Sequence, residues 1–205
     1  MKADHSVTGQ VLIKKFEQIL LTQPEAAPEG RRASAVLVPI LDRGDHLELI
    51  LTMRASTLRH HAGQISFPGG RLDEGETVID AALRESHEEI NLDPSLVDIR
   101  GFLPGVITTA NFHIAPVLGI IKESPQLTPA PDEVERILIE PLAPLLDQDR
   151  HGREAKEYQG QPYKTWVIAH PSEYIWGATA KMLVQWSRAM FNMETEDLSY
   201  DGDMA

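Results

Sequence analysis

Three glutamates lie within little more than one helical turn, directly after a glycine-rich loop, in GGRLDEGETVIDAALRESHEEINL, from Gly69 to Leu92. On a helix, Glu85 and Glu89 are i, i+4 neighbours, and Glu88 borders the same surface. Two carboxylates about 6 Å apart at an effective dielectric constant of about 20 repel each other by roughly 3 kcal/mol. A hard divalent cation removes that repulsion, because Mg²⁺ and Mn²⁺ prefer oxygen ligands. The cluster therefore predicts a helix that binds a metal ion.

The alternative is a solvated acidic face, which is common on surface helices, and the neighbouring residues favour the metal site over it. Arg84 provides a positive charge beside the carboxylates, and Glu76 lies at the helix start, where the helix dipole favours an acid. Gly69 and Gly70 provide a backbone tight enough to place a helix against a strand.

The helix itself is expected from about Thr77 to Ile90. Ile79, Leu83 and Ile90 form its buried stripe in this interpretation. Ala81 and Ala82 lie one turn before the glutamates, and their small side chains are expected to leave room for a ligand.

This stretch resembles the Nudix box, Gly-x5-Glu-x7-Arg-Glu-apolar-x-Glu-Glu-x-Gly-apolar. The leading glycine and five charged positions match at the required spacing: Gly70, Glu76, Arg84, Glu85, Glu88 and Glu89. Two positions depart from the pattern. Ser86 replaces an apolar residue, and Asn91 replaces the glycine, although asparagine is the next best residue for a left-handed helix cap.

The segment before the box, ILTMRASTLRHHAGQISFPGG (50–70), resembles the signature of the coenzyme A pyrophosphatase branch of Nudix hydrolases. Ile50 replaces the first leucine of that signature, and the matching residues are Leu51, Thr52, Ala55, Arg59, Gly63, Phe67, Pro68, Gly69 and Gly70. Later segments (130–134, 140–146 and 175–180) are similar to the same branch, so the resemblance covers roughly residues 33–186.

The resemblance implies metal-dependent hydrolysis of coenzyme A to 3′-phosphoadenosine 5′-phosphate and 4′-phosphopantetheine. Glu85 and Glu89 are the first choices as ligands of Mg²⁺ or Mn²⁺, and Glu88 is a third ligand or binds a second ion. A carboxylate must also accept the proton of the attacking water. Glu85 and Glu133 are both candidates for that base, and the sequence does not choose between them.

The arginines of the region divide into two expected roles. Arg59 belongs to the branch signature, and its planar fork of donors suits phosphate, although bracing the loop is an equal alternative. Arg54 and Arg71 are weaker candidates for the same phosphate contacts. Arg84 is expected to be structural, pairing with Glu76 or with a glutamate of the box.

Three competing functions stay open on the sequence. The first is Nudix hydrolysis of another nucleoside diphosphate derivative, such as an ADP-sugar, a dinucleoside polyphosphate or a nucleoside triphosphate. The second is a Nudix domain that only binds a nucleotide and regulates another process, although such a domain should lose a box glutamate. The third is an acidic interaction protein, which leaves the spacing of Gly70, Glu76, Arg84 and Glu85 unexplained.

The alternation of strand-like and helix-like segments predicts an α/β (α+β) fold, and the resemblance implies a Nudix-type α/β/α sandwich with a mixed sheet. Strands are expected at 33–41 and 47–53, joined as a hairpin, and at 97–102, 114–121 and 165–169, with helices at the N-terminus and at 175–191. The glycine-rich and proline-rich loop before the box is expected to end without regular structure. Residues 1–32 are interpreted as an N-terminal helix and linker, 33–191 as the Nudix domain and 192–205 as an acidic, disordered tail.

Composition narrows the function further. The chain has a net charge of −12 and no cysteine, so nucleic acid and anionic membrane are poor partners, and zinc–thiolate sites are excluded. No apolar run approaches the ~20 residues that span a bilayer. We therefore expect a cytoplasmic enzyme with a small-molecule substrate, coenzyme A or a related nucleotide, and leave open whether it forms a homodimer.

Overall fold

A computed structural model of the protein describes residues 9–158 and 160–192. The helices are Gly9–Ile19 (α1), Val78–Ile90 (α2), Leu142–Leu145 (α3) and Gly177–Met190 (α4). The strands are Arg32–Asp42 (β1), Leu47–Arg54 (β2), Ile65–Ser66 (β3), Gly69–Arg71 (β4), Asp98–Phe102 (β5), Val106–Ile107 (β6), Phe112–Ile121 (β7), Val134–Pro141 (β8), His151–Tyr158 (β9), Gln161–Ala169 (β10) and Tyr174–Trp176 (β11). The predicted acidic tail lies beyond Asn192, outside the described residues. Among those residues, no helix has the length and apolar character that crossing a membrane requires.

A mixed sheet of eight strands is built around β1. The hairpin of β1 and β2 is present as predicted, with Asp42 opposite Leu47. On its other side β1 runs parallel to β7, and the remaining pairings of the sheet are antiparallel. The strand order is β3-β2-β1-β7-β5, with β4 paired to β1, β6 to β7 and β8 to β2. The prediction of a mixed sheet is confirmed.

Strand β1 is buried on both faces, as expected for a central strand covered by helices on both sides. Side chains alternate along a strand, so Val36, Val38 and Ile40 pack in one cluster with α1 and α4. Ala35 and Leu37 pack in the second cluster, against α2. Helices therefore cover both faces of the sheet, and the α/β/α sandwich is confirmed.

The N-terminal helix α1 packs into the larger of these two clusters. Leu12 and Phe16 are 3% and 1% exposed there. The backbone N–H of Leu21 donates to the carbonyl of Phe102 at 2.8 Å, which fixes the segment after the helix to β5. The core thus extends across the boundary predicted at residue 32.

The short strands are where the sequence prediction was wrong. The loop expected to lack regular structure contains β3 and β4, and β6 was also missed. A second, three-stranded antiparallel sheet, β9-β10-β11, surrounds the predicted strand at 165–169. Trp176, assigned to the last helix, is extended, and Gly177 turns the chain into α4 with a φ of +68°.

Candidate active site

Helix α2 has well-defined ends that fix the glutamates relative to the sheet. The Thr77 hydroxyl accepts a hydrogen bond from the backbone N–H of Asp80 at 3.2 Å, which caps the N-terminus. Asn91 adopts the left-handed conformation with a φ of 55°, and its N–H donates to the carbonyl of His87 at 2.9 Å. Asparagine therefore ends this helix where the Nudix pattern has glycine, as expected from its tolerance of that conformation.

Gly69 and Gly70 let the backbone of β4 pass between β1 and the glutamates of α2. A Cβ on Gly70 would lie 2.4 Å from Cδ of Glu85, and one on Gly69 would lie 2.3 Å from the carbonyl oxygen of Ala35. Gly69 also has a φ of +154°, a region that favours glycine. Glycine is therefore required at both positions, at Gly70 because of Glu85 and at Gly69 because of the backbone of β1.

The buried face of α2 differs from the predicted stripe. Ala81 and Ala82 are fully buried in the core, so the prediction that they leave room for a ligand is wrong: they let the helix lie close to the sheet. Ile79 and Leu83 are only partly buried at the margin of the same cluster. Ser86 is also fully buried, and its hydroxyl donates to the carbonyl of Ala82 at 2.6 Å.

Arg84 holds three of the acidic side chains in place. Its Nε and Nη2 donate to the two oxygens of Glu76, at 2.8 and 3.0 Å. Its Nη1 donates to Glu85 Oε1 at 2.9 Å and to Glu88 Oε2 at 3.0 Å. The hydrogen bonds from Arg84 lower the pKa of Glu76 to about 2. Arg84 thus makes both of the pairings that the sequence offered as alternatives.

Glu89 is a buried carboxylate with few partners. It is 3% exposed, and burial raises its pKa to about 7. Two contacts lower this pKa. The N–H of Gly69 donates to Glu89 Oε2 at 3.2 Å, and the positively charged Arg54 has its Nη1 4.0 Å from Oε1. Repulsion from Glu85 and Glu133 adds to the rise. A buried carboxylate of this kind is stabilised by any cation that reaches it.

Glu85 is half-buried against Gly70. Burial raises the pKa of Glu85, the hydrogen bond and charge of Arg84 lower it, and the charges of Glu88 and Glu133 raise it further. Two neighbouring carboxylates on the same helix therefore both have environments that disfavour the free anion.

Glu133 reaches this cluster from a loop that docks on the end of α2. The N–H of Ala130 donates to the carbonyl of Glu89 at 2.8 Å, and the N–H of Ala55 donates to the carbonyl of Glu133 at 2.8 Å. The Glu133 side chain is exposed and close enough to repel Glu85 and Glu89 electrostatically. The segment thus folds back toward the helix, and the role of Glu133 as a base stays a prediction.

The donor set suits a hard divalent cation, although it does not enclose one by itself. Within residues 9–158 and 160–192, no three aspartate, glutamate, histidine or cysteine side chains are gathered into a ready-made metal cage. Glu85 and Glu89 nevertheless offer carboxylate oxygens whose burial and mutual repulsion a cation would offset. Mg²⁺ in particular keeps several waters and shares oxygens with a substrate, so it does not need a complete protein cage.

The predicted phosphate-binding arginines occupy different positions. Arg54, on β2, lies beside Glu89, and its Nε is buried with no hydrogen-bond partner among the described residues. Arg71 lies at the end of β4, with its guanidinium 5.2 Å from the ring centroid of Phe112. Arg59 is exposed in the loop between β2 and β3, and the described chain gives it no hydrogen bond or ion pair.

Sequence reasoning missed Arg32 and Phe112, which lie beside Arg71. The Arg32 guanidinium is 4.0 Å from the centroid of the Phe112 ring. No local pattern indicates this contact, because β1 and β7 are far apart in the chain and become neighbours only through their parallel pairing.

Comparisons with known proteins identify the family to which the sequence is similar. A family model described as the NUDIX domain matches residues 31–166. The chain is 36% identical to the "Uncharacterized Nudix hydrolase NudL" of Klebsiella pneumoniae (strain 342) over 182 residues, covering 88% of this chain and 94% of the relative. The protein of the same name from Cronobacter sakazakii (strain ATCC BAA-894) is 37% identical over 167 residues, covering 81% and 86%.

Solved structures are similar at lower identity. An Ap4A hydrolase of C. elegans in a binary complex matches with a TM-score of 0.47 and 20% identity, covering 54% of this chain and 80% of that one. The NUDIX domain of Shewanella oneidensis NrtR, complexed with ADP ribose, matches with a TM-score of 0.44 and 20% identity, covering 58% and 77%.

Proposed function

The chain belongs to the Nudix hydrolase family, which acts on nucleotide derivatives, and we propose that it hydrolyses the pyrophosphate bond of coenzyme A or of a coenzyme A derivative. The products are 3′-phosphoadenosine 5′-phosphate and 4′-phosphopantetheine. The proposed domain limits (33–191), the cytoplasmic location and a homodimer remain predictions.

The observation that carries the proposal is that the segment resembling the branch signature contacts the glutamates of α2. Two backbone hydrogen bonds join the end of the signature loop to β2. The N–H of Gly63 donates to the carbonyl of Arg54, and the N–H of Arg54 donates to the carbonyl of Gln64, each at 3.0 Å. The signature ends at Gly69 and Gly70, which contact Glu89 and Glu85 directly. Residues that set specificity in this interpretation therefore adjoin the residues that do the chemistry.

Glu85 and Glu89 would hold Mg²⁺ or Mn²⁺, with Glu88 as a third ligand or as a ligand of a second ion. When bound, such a cation supplies positive charge against the pyrophosphate oxygens and makes a nearby water more acidic. Arg84 maintains the orientation of Glu85 and Glu88, and Glu76 in turn anchors Arg84. We assign Arg84, Glu76, Gly69 and Gly70 to structure rather than to chemistry.

The reaction is a substitution at phosphorus. The oxygen of a water forms a bond to one phosphorus of the pyrophosphate, and the bond from that phosphorus to the bridging oxygen breaks. The water's proton passes to a carboxylate, Glu85 or Glu133. Glu85 accepts a hydrogen bond from Arg84, whereas the Glu133 side chain is exposed on its loop.

Arginine side chains are proposed to bind the anionic substrate, because a guanidinium offers two parallel donors to a phosphate. The buried Nε of Arg54, which has no hydrogen-bond partner among the described residues, and its position beside Glu89 support this role for Arg54. Arg59 and Arg71 are the further candidates. Such contacts offset the net charge of −12, which would otherwise repel the substrate.

The test is a substrate screen on the purified protein. Coenzyme A, ADP-ribose, NADH, a dinucleoside polyphosphate and nucleoside triphosphates are incubated with Mg²⁺, with Mn²⁺ and with chelator, and the products are separated by chromatography. We expect metal-dependent release of 3′-phosphoadenosine 5′-phosphate from coenzyme A alone. Cleavage of another substrate instead would keep the hydrolase and reject coenzyme A. Retained metal binding without any cleavage would favour a nucleotide-binding regulatory module.

A further inference from the structure

Strand β8 lies at an edge of the main sheet. Among the strands of the described chain it pairs with β2 alone, so its other side has no strand beside it. Ile139 of β8 is 44% exposed, one of the few large apolar side chains of the described residues that reach solvent. An edge of this kind offers unpaired N–H and C=O groups to another strand.

The pairing of β2 determines which backbone groups of β8 point outward. Successive residues of a strand direct their N–H and C=O groups to opposite sides. Before β2, the carbonyl of His46 accepts a hydrogen bond from the N–H of Arg43, and at the end of β2 the N–H of Arg54 donates to the carbonyl of Gln64. The even-numbered residues of β2 therefore face β1 and β3, and the odd-numbered residues bond to β8.

The backbone groups of Ile137 and Ile139 consequently point away from β2. The odd-numbered Leu51 lies opposite Leu138 in the register, so the groups of Leu138 are used within the sheet. Ile137 and Ile139 flank Leu138, and no turn, loop or side chain of the described chain bonds to their N–H or C=O groups. Pro141 has the same orientation, so its missing N–H falls on the free edge, where proline is tolerated.

The sequence of β8, VERILIEP, is complementary to itself when a second copy runs antiparallel beside it with Leu138 facing Leu138. Arg136 then lies opposite Glu140 of the second copy, and Ile137 lies opposite Ile139 of the second copy. The isoleucines are the residues whose backbone groups point outward, so each isoleucine pair can exchange both of its hydrogen bonds. A shift of the register by two residues in either direction removes the charge pairs.

The two charged side chains of this register have capacity for a further partner. The Arg136 side chain is 47% exposed, and its Nη2 donates to Glu173 at 2.6 Å. The described chain gives Nε and Nη1 of Arg136 no hydrogen bond. Glu140 has His170 Nε2 3.2 Å from its Oε2, and Oε1 has no partner among the described residues. Each side chain can therefore keep its present contact and form a second ion pair across the edge.

We propose that β8 is a dimer interface of this protein, and that it pairs antiparallel with β8 of a second copy in the register centred on Leu138. The two main sheets then form one continuous sheet across a two-fold axis, and the same contacts occur twice, as in any isologous dimer. Ile139 packs against Ile137 of the second copy, and cross-strand pairs of this kind stabilise a sheet. The dimer does not depend on which substrate the protein hydrolyses.

Sedimentation velocity over a concentration series tests the dimer with the full chain. We expect a dimer of wild type. Arg136→Glu and Glu140→Arg each place like charges opposite one another, so each should raise the dissociation constant by at least about 100-fold. An equimolar mixture of the two variants should regain the dimer, because opposite charges then face each other in both pairs. Arg100→Glu makes the same charge change on β5, where Arg100 pairs with Glu17, and this control should stay dimeric.

Cysteine crosslinking tests the register, because the chain has no cysteine of its own. In the proposed register, Arg136 and Glu140 of the second copy form a non-hydrogen-bonded pair with Cα atoms about 4.5 Å apart, within the range of a disulfide. We expect a mixture of Arg136→Cys and Glu140→Cys to form a covalent dimer on oxidation. Either variant alone, and a mixture of Arg100→Cys with Glu140→Cys, should remain uncrosslinked.

Thermal unfolding identifies any variant that fails to fold. Where a charge reversal does so, Ile139→Pro replaces it, because it removes an outward N–H without touching the bonds to β2, and it should weaken the dimer more than Ile139→Thr, which keeps the N–H. A wild type that stays monomeric throughout the series overturns the interface. A dimer that neither the charge reversals nor Ile139→Pro weakens, or folded charge variants whose mixture stays monomeric, overturns it as well.

Discussion

Helices α2 and α4 pack on opposite faces of the same sheet, but they do so with different side chains. The buried residues of α2 are Ala81, Ala82, Ser86, Glu89 and Ile90. Those of α4 are Thr179, Ala180, Lys181, Met182, Leu183, Val184, Trp186, Ser187 and Met190. Only one large apolar side chain is buried from α2, whereas α4 contributes Trp186, fully buried with its Nε1 donating to the carbonyl of Pro104 at 3.0 Å.

From this difference we expect α4 to contribute mainly to stability and α2 mainly to activity. Burial of large apolar side chains is the main stabilising contribution of a helix, so α4 supports the fold. Helix α2 instead places Glu89 in the interior, where burial disfavours the free carboxylate anion. Changes on α2 should therefore alter activity more than stability, and changes on α4 should do the reverse.

The largest expected effect is on turnover, from Glu85→Gln and Glu89→Gln on α2. Each change removes a carboxylate charge with almost no change in shape, so we expect turnover to fall by about two to four orders of magnitude, while urea unfolding shows no loss of stability. Steady-state kinetics with Mg²⁺ measures the fall, and Glu135→Gln on the exposed side of β8 is the matched control. An unchanged rate in either variant rejects the role of that residue.

Gly70→Ala should also act on turnover through geometry. The new Cβ would lie 2.4 Å from Cδ of Glu85, so the carboxylate must move, and misplacement of a catalytic group by about 1 Å can cost about 10²-fold in rate. Gly152→Ala, where the nearest side-chain atom is 3.4 Å away, is the control. Wild-type kinetics in Gly70→Ala would show that the position of Glu85 is not critical.

Leu183→Ala on α4 should have the opposite profile. Leu183 is fully buried, and truncation of such a leucine costs about 2–5 kcal/mol of unfolding free energy. Urea unfolding measures the loss, and kcat/KM is measured at a temperature where the variant stays folded. We expect an unchanged kcat/KM, and Val11→Ala, at an exposed position of α1, should change neither quantity. A larger loss of activity than of stability would contradict the division between the two helices.

A smaller effect is expected in the pH dependence of stability without metal. The pKa of Glu89 is raised to about 7 from an ordinary value of 4.5, so between these values the folded protein binds a proton that the unfolded chain has lost. The Glu89 contribution therefore makes stability fall as pH rises from about 4.5 to about 7. Urea unfolding in chelator should show this fall in wild type and a smaller one in Glu89→Gln. Identical pH profiles would show that Glu89 is not the group concerned.

The local features of α2 were predictable from the sequence. Its cap at Thr77, its end at Asn91 and the relative positions of Glu85, Glu88 and Glu89 follow from the helical period and from capping preferences. The hairpin of β1 and β2 was equally clear, because two apolar runs flank a short turn. Each of these features depends on residues close together in the chain.

The missed elements depend on distant partners. Strands β3, β4 and β6 have two or three residues each, too few to display an alternating pattern, and they exist because β2, β1 and β7 pair with them. The burial of Ala81 and Ala82 was misjudged for a similar reason. The helical period relates the faces of α2 to one another, and the close approach of β4 decides which face meets the sheet.

The sequence by itself determined the helix that carries the glutamates, the mixed sheet between helices and the family, because spacing along the chain fixes these features. Only the tertiary structure decided that Glu89 is buried, that Glu133 approaches it and that Arg32 and Arg71 share the Phe112 ring. Desolvation and charge interaction depend on distances in space. Those distances are set when β1, β4 and β7 pair, and no local pattern of residues records them.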